Sequence, residues 1–149
     1  LSAAQSAKAS LINTCILALL AECHVRVHHV TDGLAAIQQA EELVATQGEL
    51  CWQAELFRIQ GELVLMQSGQ PVTAAEQCFS KALAVAQSQQ ARLFELRAAT
   101  SMARLLRKLN KPDMATEVLG SVRFRFSRHS TNPDVVAAQT ILDELSLAP

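Results

Sequence analysis

At 149 residues and 50% hydrophobic content, the chain is long enough to bury one sizeable core and is read as a single domain. A formal net charge of -1 gives no global attraction to nucleic acid or to an anionic membrane. The longest apolar run, Cys15 to Ala21, is far short of the roughly 20 residues of a bilayer span, which excludes a transmembrane helix in the sequence.

Strand signals are nearly absent. The chain is rich in Ala, Leu, Gln and Glu, has no Tyr, and rarely sets β-branched residues in alternation, so an all-α fold is predicted. In chain order the apolar spacing and the breakers predict seven helices, at about Ala4 to Cys23, Gly33 to Thr46, Leu50 to Gln67, Val72 to Ser88, Arg92 to Leu109, Pro112 to Phe126 and Pro133 to Leu147. Thr31, Asp32 and Gly33 mark the second start, Gln47 and Gly48 its stop, Ser68 to Pro71 a turn, and Asn110 to Pro112 another. Pro112 and Pro133 suit a first helical position, where a missing N–H costs nothing, and Asp113 and Asp134 then favour the positive end of the helix dipole. Asn132 is the natural cap of the last helix. Cys15, Cys23, Cys51 and Cys78 are scattered without close pairing and read as reduced core residues of a cytoplasmic protein. The opening at Leu1 has no signal-type apolar stretch, and the chain is expected to be a piece of a longer polypeptide.

Small and large residues recur in the second helix of each pair. Ala36 with Ala40, Ala75 with Phe79 and Ala82, and Ala115 with Leu119 repeat at a period of about 40 residues, in the range of helix-pair repeats. Small side chains at such places let antiparallel helices approach, and the larger one fills the space between neighbouring pairs. Trp52 is expected to wedge between repeats in the same way. Three pairs and a capping helix make a short tetratricopeptide-like right-handed solenoid.

The stretches Trp52 to Leu65, Ala75-Glu-Gln-Cys-Phe-Ser-Lys-Ala-Leu-Ala-Val-Ala, Glu95 to Leu106 and Asn132-Pro-Asp through Leu142-Asp-Glu-Leu resemble the C-terminal tetratricopeptide region of large bacterial signalling proteins. In those proteins a class III cyclase or DNA-binding domain precedes a signal-transduction ATPase and then such repeats. The resemblance covers the chain from about Gly33 onward. It implies a regulatory and scaffold role and brings no catalytic residues, cofactor or metal with it.

No phosphate loop, serine-hydrolase elbow, zinc-protease His pair or close cysteine pair occurs, so no enzymatic activity is expected. His24 and His28 would share a face only if a helix ran through them; their β-branched neighbours and the Thr31 start read instead as a helix end with solvated histidines, and no metal site is expected. Arg123, Phe124, Arg125, Phe126, Arg128 and His129 interleave bases with aromatics, a pattern that can grip single-stranded nucleic acid. Because Phe124 and Phe126 cannot face the same side of one helix, one of them is expected to close the core, and nucleic acid is not expected as a partner. Glu55, Arg58 and Glu62 line one first helix, and Arg97, Ser101, Arg104 and Lys108 line the next. A repeat offset near 42 residues would set Glu55 opposite Arg97 and Glu62 opposite Arg104 as ion pairs. Arg58, Ser101, Arg107 and Lys108 fall outside those pairs and, with Arg104, are the expected partner-contacting residues. The expected function is a non-catalytic interaction and regulatory module that binds a protein partner or other domains of its parent chain. The alternative is a small-ligand sensor using the concave groove, and a homodimer through an exposed face of the first helix is a further expectation.

Overall fold

Pro112 and Pro133 each open a helix, as their lack of an N–H requires. In a computed structural model of the chain, which describes residues 3–48 and 50–147 with side chains from residue 12, seven helices and no strand are found among the described residues. They are α1 (Ala3–Arg26), α2 (Val30–Gln47), α3 (Gln53–Met66), α4 (Val72–Ser88), α5 (Arg92–Lys108), α6 (Pro112–Arg123) and α7 (Pro133–Ser146). The fold is all-α. None of these helices is long and apolar enough to cross a membrane.

Helix ends are set by backbone geometry as much as by composition. Gly48 closes α2 in the left-handed region at φ 69°, with its N–H bonded to the Val44 carbonyl at 2.9 Å. His28, Gln90 and Asn110 adopt the same region at φ 59°, 54° and 59°. After each of them the next N–H reaches back five residues: His29 to His24, Ala91 to Ala86 and Lys111 to Leu106, at 3.0, 2.9 and 2.9 Å. This is one Schellman-type stop used three times, and it leaves only a short connection to the following helix.

α2 begins at Val30 rather than Gly33, which places Gly33 inside the helix. A methyl group there would sit 2.7 Å from Leu63 Cδ2 and 3.2 Å from His24 Cβ, so the bare glycine is what lets α1 and α3 close on α2. α3 begins at Gln53 rather than Leu50, because residues 50–52 form a turn in which the Gln53 N–H bonds the Leu50 carbonyl at 3.0 Å. α6 stops at Arg123 rather than Phe126; beyond it the Arg125 and Phe126 N–H groups tighten onto carbonyls three residues back.

The chain divides into two compact units, Leu1–Cys78 and Phe79–Pro149, with the division inside α4. In the first, α1 packs on α2 and both pack on α3. Its core holds Ala21, Ala36, Ile37, Ala40, Ile59 and Leu63, with Trp52 half-buried against them. In the second, α5 packs on α6 and both pack on α7, around Leu96, Ala103, Leu106, Leu119, Ala138 and Ile141. The recurrent residues Ala36, Ala40, Ala75, Phe79, Ala82, Ala115 and Leu119 are all buried. By contrast Ile12, Ile16, Leu19 and Leu20 are about half exposed and, at helical spacing, form an open apolar stripe on α1.

Asn132 Oδ1 accepts from the N–H groups of Asp134 and Val135 at 2.9 and 3.4 Å, the cap read from the sequence. Asn132→Ala is expected to cost about 1 kcal/mol and to lower the melting temperature by about 3 °C. Asn132→Asp should keep it, since aspartate caps as well and suits the dipole. Thermal unfolding followed by circular dichroism checks the pair; an alanine variant that melts with the parent would remove the cap from the account.

Candidate interaction site

The polar line expected on α3 turns inward. Glu55 and Arg58 are both buried, and Arg58 Nε and Nη2 donate to the Glu55 carboxylate at 3.1 Å each. Arg58 Nη2 also donates to Glu22 of α1, whose side chain is 20% exposed. Burial disfavours the arginine's charge, but the fields and hydrogen bonds of Glu55 and Glu22 more than offset it and hold the pKa of Arg58 above the usual arginine range. Arg58 is therefore an internal clamp between α1 and α3. Ser101 is buried too, 3% exposed inside α5, where the expectation had it on a polar surface line.

Arg104, Arg107 and Lys108 are exposed on the last turns of α5. Arg107 pairs with Glu144 of α7. Arg104 and Lys108, four residues apart, share a helix face and take no acidic partner among the described residues. Arg97 lies 3.7 Å from Asp134 of α7.

Near the end of α6 the three arginines of the basic-aromatic segment meet different fates. Arg125 donates to both oxygens of Glu95, at 3.1 and 2.9 Å, and Gln87 Nε2 donates to the same carboxylate at 3.1 Å. These residues, with Gln90 and Arg92, line a polar cleft of about 520 Å³. Arg128 is exposed. Arg123 is 5% exposed, bonds one carbonyl, that of Phe126, through Nη1 at 3.1 Å, and has a buried Nε without a partner. Phe126 is half-buried while Phe124 stands 75% exposed beside it, 5.9 Å from the Arg125 guanidinium. Together with Gly120 and Leu142, Arg123, Phe124, Phe126 and Arg128 line an open cavity of about 250 Å³.

His24, His29 and Asp32 approach one another at the α1–α2 turn, their donor atoms within 4.8 Å. The helix stops at Arg26 and His28 is left-handed, so it is His29 that stacks on His24, with centroids 6.0 Å apart. His29 Nδ1 lies 3.7 Å from Asp32 Oδ2 across the first turn of α2.

Charge separates the units in a way the near-zero total conceals. Leu1–Cys78 holds 3 Lys and Arg against 8 Asp and Glu, whereas Phe79–Pro149 holds 10 against 6. Fold and surface thus define an all-α protein with a cationic C-terminal unit. No family model matches the chain, and neither does any curated protein or solved structure with which it was compared.

Proposed function

We propose that this chain is a non-catalytic protein-interaction and regulatory module, built as tetratricopeptide-like helix pairs capped by α7, in a bacterial signalling protein of the cyclase or regulator-ATPase kind that its sequence resembles. The observation that supports this reading best is the recurrence, at about 40 residues, of buried positions in α2, α4 and α6. A chain made of repeated helix pairs has its chemistry in its surface, and here the surface is cationic along Arg104 and Lys108 of α5. Residues 1–149 should capture the ATPase region of the parent protein, and the charge reversal R104E/K108E should abolish capture with unchanged circular dichroism. Equal capture by the variant would take the contact away from Arg104 and Lys108; no capture by residues 1–149, or a parent activity indifferent to deletion of the repeats, would overturn the reading.

The open stripe of Ile12, Ile16, Leu19 and Leu20 suits a further helix, supplied by the parent chain or by a second copy. Small-ligand sensing is the second reading, favoured by the polar cleft of about 520 Å³ between Gln87, Glu95 and Arg125. It requires a small polar molecule to raise the melting temperature of the parent chain but not that of Arg92→Ala.

A further inference from the structure

We propose that the cavity at the end of α6 receives a carboxylate from an acidic segment of the protein partner, with Arg123 as its fork. The proposal rests on the interaction-module reading and names the chemistry of the partner.

Arg123 is a buried arginine without an anion among the described residues. A guanidinium carries five N–H donors and a permanent charge, and a buried one is normally paired. Arg58 satisfies that rule with Glu55 and Glu22, and even the exposed Arg125 and Arg107 pair, with Glu95 and Glu144. Arg123 is as buried as Arg58 yet donates only to the Phe126 carbonyl. The nearby acids on α7 are engaged elsewhere, Asp143 with Gln139 at 2.8 Å and Glu144 with Arg107. Because Nη1 is the atom used, the edge left over is Nε with Nη2, the edge that pairs side-on with a carboxylate through two parallel bonds. Among the described residues nothing pairs with that edge, and a carboxylate from outside them would complete it.

The walls narrow the choice of anion. A cavity of about 250 Å³ takes one acidic side chain and a neighbour, not a polynucleotide backbone. Arg128 stands exposed at its rim as a second cation, while Phe124 and Leu142 present apolar surface beside the charge. That pairing fits Glu or Asp flanked by a Leu or Phe. The excess of 10 bases over 6 acids in Phe79–Pro149 draws such a segment in.

The test uses the whole chain, labelled with nitrogen-15, and an acetylated, amidated peptide of alternating Glu and Leu. The peptide should move the Arg123 Nε resonance saturably, and its Gln–Leu counterpart should bind about tenfold more weakly for want of the charged bidentate bond. Two exposed substitutions, Arg128→Gln and Phe124→Ala, should each weaken binding several-fold without altering the fold. R123M should abolish binding and leave the melting temperature equal or higher, since it removes a buried charge that no described side chain pairs. Equal binding of the Gln peptide, an unmoved Nε resonance, or early melting of R123M would overturn the proposal. So would inorganic phosphate or a single-stranded oligonucleotide moving that resonance at lower concentration than the peptide, or its shift following self-association of the chain. If the peptide binds as expected while residues 1–149 fail to capture the parent ATPase region, the module reading fails and the carboxylate site stands; capture without peptide binding separates them the other way.

Discussion

Arg58→Met should lower the stability of the first unit by about 3–5 kcal/mol, because the substitution leaves the buried Glu55 carboxylate and the partly buried Glu22 without their common cation. For a chain of this length that corresponds to a fall of about 10 °C in melting temperature. The triple variant R58M/E55Q/E22Q should recover most of the loss, since no charge is then left unpaired. Fluorescence of Trp52, the chain's one tryptophan, reports the transition because its ring packs on the same core. The sign of the pH effect follows from the raised pKa of Arg58: such a group stabilises fully at any pH below its unfolded value and loses that contribution only in strong alkali. The deficit of R58M should accordingly be flat between about pH 6 and 9, well below the titration of arginine. A deficit under about 1 kcal/mol, the usual worth of an exposed pair, would show that the clamp is wet.

The contrast between Arg58 and the residues around it shows what a sequence displays and what it hides. Pro112, Pro133, Asn132 and Gly48 act within one or two residues of where they stand, so the helix ends they set were readable. His28 and Gln90 stop helices by a left-handed turn that no composition rule assigns to them, and the early start of α2 went unseen with the first of these stops. The polar line of Glu55 and Arg58 looked like a solvated stripe because local spacing cannot reveal a partner 36 residues away. One signal was present: Glu22 is the acid that closes the apolar run of α1, and an acid at the edge of a core implies a cation nearby. In the same way the alternation of Arg123 to Arg128 conceals that the helix ends in its midst, so that one arginine faces the interior and the next two do not. The division of charge between the halves was countable from the sequence, and it points to the C-terminal unit, where the exposed members of the expected contact set, Arg104, Arg107 and Lys108, lie.

Phe79→Ala should be the most damaging apolar truncation in the chain, about 3–5 kcal/mol, because Phe79 is the largest fully buried side chain and its removal leaves a cavity as well as lost transfer energy. The informative variant is Phe79→Leu. Leu119 lies 40 residues later in the sequence, four after Ala115 as Phe79 is four after Ala75, and both are fully buried. If the two helices present equivalent surfaces to equivalent neighbours, a leucine at position 79 is already a native solution to that packing problem, and the loss should fall to about 1.5 kcal/mol or less. Chemical denaturation of the parent and the two variants decides it by the shift of the midpoint at constant slope. Leucine as harmful as alanine would mean that the two positions share only a spacing in the sequence, and the repeat that supports the proposed function would lose its physical content.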